Sequence, residues 1–288
     1  MANTITLAEK FVPVIDGIYQ KASLSSVLDA TTKLDFSGTN TVNVMKVETS
    51  GLGDYSRDTG FPVGDATVTW EPMKLTEERG KEINIDRMDD EETLGQAFGM
   101  VMNEFMRLHV APELDAYRFA KYASAAGIEK SAATLATGEA VLSAIDTASS
   151  VLDGNEAPDH RILFVASDLK PVLAAGVARE WGSEGGISRI LTSYNDMPII
   201  YVPRKRFFSG ITLNSGASAW GYTNAGKALN FMMVCPESIL QVKKMALPKI
   251  FDPDTNQDKD AWKFQYRLYH DALVYQNKAN GIYAHTAE

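Results

Sequence analysis

An apolar stripe in the middle of the chain limits what it can fold into. Leu94, Phe98, Val101, Phe105 and Leu108 recur at spacings of four, three, four and three. That is the repeat of one face of an α-helix. Met102, Met106, Val110 and Leu114 make an adjoining row. Burying the stripe would contribute roughly 8–15 kcal/mol before entropy is counted. Asp89, Asp90, Glu91 and Glu92 stand where carboxylates meet the positive end of the helix dipole. Thr93 and Gln96 have the spacing of a capping box. Pro112 predicts a kink or a break. Asn103, Glu104 and Arg107 exclude a membrane span. The sequence therefore specifies one long amphipathic helix that needs a body to lie on, with the stripe as its core.

Strand patterns flank this helix. Thr41 to Glu48 alternates at Val42 and Val44 and then carries Val47. Ala66 to Leu75 has Val68 and Trp70 two apart, and Lys81 to Arg87 has Ile83 and Ile85. Gly51, Gly53, Gly60, Pro62 and Gly64 lie between the first two runs. Two strands around a Gly-rich tip predict a long hairpin. A lone hairpin is marginal in water, so this one needs a surface to pack on, its own or a neighbour's. Its flanks carry Arg57, Asp58, Lys74, Glu77, Glu78, Arg79 and Lys81.

After the helix the pattern becomes α/β. Val141, Ile145, Ala148 and Leu152 share one helical face, and RILFVA (161–166) and MPIIYV (197–202) read as buried strands. Residues 230–245 are strand-like and broken at Pro236, and further strand spacing runs from Trp262 to Tyr283. The C-terminal strands are expected to return beneath the long helix, which makes the α/β segment an insertion.

Of the 288 residues 45% are hydrophobic and 23% charged, an ordinary globular composition. No run approaches the roughly 18 apolar residues of a membrane helix. Cys235 is the single cysteine, which excludes an internal disulfide framework and a cysteine metal site. The formal charge is −9, and residues 1–150 hold 13 Lys/Arg against 23 Asp/Glu. Such a chain does not bind nucleic acid tightly by neutralising phosphates, though it can enclose it.

Catalytic and binding motifs are weak. GYTNAGK (221–227) fits the phosphate-cradling pattern, but Ala228 stands where Mg²⁺ needs a hydroxyl, and a strand rather than a helix is expected to follow. Asp252, Asp254, Asn256, Asp258 and Asp260 alternate like calcium ligands. Gln257 and Lys263 occupy the required Gly and Glu positions, so an exposed acidic turn is the better reading. Arg204, Lys205 and Arg206 before Phe207 and Phe208 form a small basic patch, read as a solvated turn. His109 and Glu113 are one helical turn apart, too little for a metal site. No cofactor, metal site or catalytic group is expected, and the chain is not read as an enzyme.

Four phrases carry a resemblance: residues 51–93 (GLGDYSRDTG to MDDEET), APELDAYRFAKY, KALNFMMVCPESILQVKK and YRLYHDALVYQNKANGIYAH. In this order the chain resembles the HK97-type major capsid proteins of tailed bacteriophages. The resemblance implies an α+β fold with an N-terminal arm (1–40), an extended β-hairpin loop (41–88), a peripheral domain with a long spine helix (89–137 and 230–288) and an inserted α/β axial domain (138–229). It implies pentamers and hexamers forming an icosahedral shell around double-stranded DNA, with portal and scaffolding proteins as partners, in a virion assembled in the host cytoplasm. It also implies that the charged loop residues meet a neighbouring subunit. Some members crosslink through a loop lysine; Lys74 and Lys81 lie near the loop, but no partner Asn is identified. An encapsulin-type compartment shares the fold and stays open as an alternative, as does, from another class, a nucleotide-binding protein using Lys227.

Overall fold

The computed structural model describes residues 22–29, 41–92, 97–181 and 191–288, and the structural statements below concern these. β1 (Thr41–Thr49) and β2 (Ala66–Lys74) form an antiparallel hairpin, in register from Thr41 opposite Lys74 to Thr49 opposite Ala66. This two-stranded sheet is joined to no other described strand. The chain enters the body at Leu75, which is buried against Leu240 and Val242. β3 (Glu77–Asp86) follows.

From Ala97 to Ser124 the spine helix is continuous but irregular. A short helix α1 (Arg87–Glu92) precedes α2 (Ala97–Phe105), a π turn (Met106–Val110) and α3 (Ala111–Ser124). The Ala111 N–H bonds to the Met106 carbonyl, five residues back. Pro112 sits in the first turn of α3, where its missing N–H is tolerated. The discontinuity expected at Pro112 is therefore a widened turn just before it, not a break.

This turn corrects the expected core stripe. The buried row is Met102, Met106, Val110 and Leu114, the adjoining row of the sequence pattern. Val101 is 39% exposed and Leu108 48%, while Phe105 is partly buried. Leu94 and the Phe98 side chain, like the Thr93–Gln96 capping box, lie outside the described residues. A row spaced by four drifts around an α-helix of about 3.6 residues per turn. The π turn absorbs that drift and keeps the four residues on one side.

β4 (Glu129–Ala132), α4 (Gly138–Gly154), β5 (Ile162–Ala166), α5 (Lys170–Trp181), β6 (Ser193–Tyr194), β7 (Met197–Val202), β8 (Phe208–Leu213), β9 (Tyr222–Val234), β10 (Ile239–Phe251), β11 (Ala261–Val274) and β12 (Ile282–Thr286) complete the order. Two sheets organise the body. The three-stranded sheet β10-β11-β3 is antiparallel and lies under the spine helix. Phe264, Tyr266 and Leu268 of β11 alternate toward Met102, Met106 and Leu114. The seven-stranded sheet runs β4-β12-β9-β5-β7-β6, with β8 also on β9. Its core takes in the expected α4 face, Val141, Ile145, Ala148 and Leu152.

Two boundaries read from sequence move. Residues 77–86 belong to the body sheet rather than the extended loop, because β3 pairs with β11 along its length. The 229/230 boundary falls inside β9, and the C-terminal strand β12 joins the seven-stranded sheet instead of returning beneath the helix. Strand partners are non-local, so alternation alone did not reveal them.

Helices α4 and α5 touch at a glycine pair. A Cβ on Gly176 would lie 2.8 Å from the Gly138 backbone. Gly176→Ala is expected to force the helices apart and destabilise the chain by about 1–3 kcal/mol in urea unfolding. Gly154→Ala, where a Cβ meets nothing within 4 Å, should leave the midpoint unchanged or raise it.

Candidate assembly surface

The hairpin exposes apolar groups on one face. Met45 opposes Trp70 and Val47 opposes Val68. Met45 is 55% exposed and Trp70 62%, and both valines are similarly open. The other face carries Lys46, Glu48, Thr67 and Thr69, with Lys46 and Glu48 paired at 2.6 Å. That lysine holds the Glu48 carboxyl below the usual carboxylate range. At the tip, Tyr55 and Phe61 meet edge to face at 5.0 Å, and Leu52 and Val63 are fully exposed. An apolar patch of this kind on a surface element marks an interaction site. Sequence reading found Val68 and Trp70 but missed Met45; the signal was its two-residue spacing from Val47.

A buried carboxylate fixes the hairpin's exit. Asp271 accepts from the Thr76 N–H at 3.1 Å, the Thr76 hydroxyl at 3.0 Å and the Tyr117 phenol at 2.8 Å. Burial, then the Asp271 charge, pushes the Tyr117 phenol upward. The Tyr269 hydroxyl donates to the Leu75 carbonyl at 3.1 Å. Asp271→Ala is expected to lower stability by about 1–3 kcal/mol, the worth of orphaned buried donors. Hydrogen exchange should then speed at Thr76 while the amides of β9 keep their protection. Unchanged exchange at Thr76 would refute the anchoring role.

A second buried network ties residues 22–29 to the body. Asp115 of α3 accepts from the Ser23 hydroxyl at 2.7 Å, the Leu24 N–H at 3.0 Å, and the Ser25 N–H at 3.1 Å and hydroxyl at 2.7 Å. Arg206 reaches the same carboxylate at 3.2 Å. Arg118, one turn along, donates to the Ser25 hydroxyl at 2.8 Å and to Asp29 at 2.9 Å, and Lys243 pairs with Asp29 at 3.1 Å. No sequence motif marks this cluster. Its signal was an Asp and an Arg three apart within a helix otherwise rich in Ala and aromatic residues.

The charged positions expected at a subunit contact divide into two groups. Arg57, Asp58 and Lys74 are exposed on the hairpin. Glu77, Glu78, Arg79 and Lys81 lie on β3, where they have partners within the chain. Arg79 donates to Glu113 at 2.7 Å, to the Asn214 carbonyl at 2.8 Å and to the Gly221 carbonyl at 3.3 Å. Glu78 pairs with Arg267, and Glu77 accepts from the Thr76 hydroxyl at 3.2 Å. The Lys81 ammonium lies 4.9 Å from the Trp220 ring and 5.6 Å from the Phe105 ring. A strand in the body sheet finds intrachain partners for its charges, which the sequence-based hairpin boundary hid.

The weak motifs fall into place structurally. Residues 222–227 are part of β9, a strand that runs on through Ala228, so the phosphate-cradling loop and its helix do not form. In the acidic turn, Lys263 pairs with Asp258 at 2.5 Å, and Arg87 meets Asp254 at 3.2 Å and Asp260 at 3.8 Å. Arg204 binds Asp168 at 2.5 Å and Arg206 binds Asp115, so these two basic residues serve internal contacts rather than a solvated turn. Glu113 is committed to Arg79 rather than to His109. Among the described residues, no group of three or more His, Cys, Asp or Glu is placed to hold a metal, and no helix is long and apolar enough to cross a membrane.

His270 is buried with its ring edge-on to Tyr117 at 5.1 Å. Burial, then the charges of Arg118, Lys243 and Arg79, lowers its pKa to about 3. The unfolded chain therefore binds the extra proton first as pH falls. This contribution to stability is whole above about 6.5 and is lost progressively toward pH 3. The urea midpoint should fall through that window, and His270→Phe should flatten part of the slope. An unchanged slope in the variant would count against the assignment.

No protein-family model matches the chain, and no curated protein matches it. Solved structures do match. The capsid structure of cyanophage P-SCSP1u aligns with a TM-score of 0.66 over 90% of this chain and 87% of that one, at 14% identity. The Gordonia phage Cozz structure aligns at 0.63 over 92% and 86%, at 14% identity. A virus-like particle from Pyrococcus furiosus aligns at 0.58 over 96% and 98%, at 11% identity. The projecting hairpin, the spine helix on its sheet and the mixed sheet beyond it thus define an α+β fold shared with phage capsid structures. More particularly, it is the HK97-type capsid fold.

Proposed function

We propose that the chain is the structural shell subunit of a tailed phage, without catalysis of its own. Copies assemble as pentamers and hexamers into an icosahedral shell enclosing double-stranded DNA. Portal and scaffolding proteins are its partners, and assembly takes place in the host cytoplasm before the virion is released. The observation that carries this reading is the fold match to phage capsid structures over some 90% of the chain. The apolar hairpin face supports it, because Met45, Val47, Val68 and Trp70 are about half exposed or more in the single subunit. In this reading the hairpin lies over a neighbouring subunit, and Arg57, Asp58 and Lys74 meet charges there. Each such exposed pair contributes only ~0–1 kcal/mol, so the apolar face supplies most of the contact energy.

Expression of the chain alone and with its neighbouring genes, followed by negative-stain microscopy and sedimentation, tests the proposal. Closed shells or five- and six-fold rings are expected. Monomer under both conditions would end it. The Pyrococcus furiosus particle match supports a second reading, a compartment enclosing a cargo protein. The contents of purified particles, nuclease-protected DNA or a co-purifying protein, separate the two.

A further inference from the structure

A cavity of about 80 Å³ lies between β3, the π turn of the spine helix and the loop joining β8 to β9. Phe105, Leu114, Tyr266 and Leu268 wall it. Trp220, 66% exposed, stands at its mouth. His270 lines its deep side, and the buried Nδ1 of that ring has no hydrogen-bond partner. The space is several times the roughly 10–15 Å³ that one water needs and about half the roughly 150 Å³ that encloses a benzene, so it takes the leading edge of one ring, with the remainder beside Trp220 at the mouth.

The mouth is held rigidly. Arg79 pins both ends of the loop through the Asn214 and Gly221 carbonyls. Gly216 and Gly221 supply the left-handed turns, at φ of +87° and +75°. A Cβ on Gly216 would meet the Trp220 ring at 2.8 Å, so the indole is packed against that turn. An exposed tryptophan fixed in this way is a preorganised contact residue.

We propose that this cavity receives the Tyr55 side chain from the hairpin tip of a second copy of the chain. The inference rests on the shell reading and names the acceptor for one of its contacts. Tyr55 and Phe61 are the exposed rings at the tip. A phenol fits the deep wall better than a phenyl, because its hydroxyl donates to the unpartnered imidazole. The low pKa of His270 keeps that ring neutral and accepting at neutral pH. Asp54 and Asp58 flank Tyr55 and bring carboxylates to Lys81 at the mouth.

The chain's own tip is not the occupant. No hairpin residue lines the cavity. The nine residues of β2 alone span about 30 Å between Lys74 and the start of the tip. Donor tip and acceptor cavity are different surfaces, so the contact is head-to-tail. Contacts of that type close into rings when the rotation allows.

The test uses p-cresol, the tyrosine side-chain analogue, titrated into unassembled full-length protein and followed by tryptophan fluorescence and NMR. Saturable binding is expected. Toluene should bind about fivefold more weakly, the worth of one neutral hydrogen bond. Trp220→Ala should lose the cresol response. Tyr55→Ala should keep the wild-type melting temperature but assemble about tenfold more slowly, and saturating cresol should slow wild-type assembly. Absence of cresol binding, or wild-type assembly by Tyr55→Ala, overturns this inference and leaves the shell reading standing. Failure of the wild-type chain to assemble under any condition overturns both.

Discussion

Asp115→Ala is expected to detach residues 22–29 from the body and to destabilise the chain by about 3–5 kcal/mol, the usual loss when one partner of a buried ion pair is removed. The carboxylate is fully buried and serves five donors: two hydroxyls, two backbone N–H groups and Arg206. Its removal leaves these donors, Arg206 among them, without that acceptor, while Arg118 and Lys243 keep their contacts with Asp29. Asp115→Asn keeps the shape and one acceptor oxygen, so its loss should be smaller. Limited proteolysis should cut the alanine variant near residues 22–29 well before the wild type. A urea midpoint equal to wild type would show that the segment is held by Leu28 in the core and not by this network.

The same network shows where sequence reading stops. Asp115 and Arg118 sit in a phrase that the resemblance had already marked, yet charged residues are ordinarily surface residues. Nothing local says that a serine pair some ninety residues earlier supplies their partners. The helix α4 face was legible because that helix is regular, so its three- and four-residue spacings map directly onto one side. The spine stripe was misread because a single π turn changes the phase within it, and the sequence carries no sign of that turn except Pro112 just beyond. Ile83 and Ile85 alternate in the same way in a free hairpin or in a body sheet, so β3 was assigned to the wrong unit. The hairpin was legible as a hairpin, because a Gly-rich tip separates its strands. Its exposed face was only half legible, since the valines at 42 and 44 suggested the opposite phase from Met45 and Val47.

That face carries the larger functional expectation. Met45→Ser combined with Trp70→Ser should leave the subunit folded and abolish closed shells. In the subunit both side chains are more than half exposed, so urea unfolding should shift by no more than about 0.5 kcal/mol, as for ordinary surface changes. In the assembled state the shell reading covers the face, and burying the rest of a Trp and a Met contributes about 3–4 kcal/mol per contact. Losing that amount weakens each contact roughly 100- to 1,000-fold, since about 1.4 kcal/mol is tenfold. A shell repeats the contact at every subunit, so the defect compounds. Removing residues 53–64 deletes the tip but keeps this face; it should give folded subunits and capsomers with impaired closure. Arg57→Ala changes only a screened surface charge, and its effect should shrink further in high salt. The comparison discriminates between the sources of contact energy. If the Met45/Trp70 double variant closes normal shells while Arg57→Ala does not, charge rather than the apolar face holds neighbouring subunits together, and the role argued for the hairpin face is wrong.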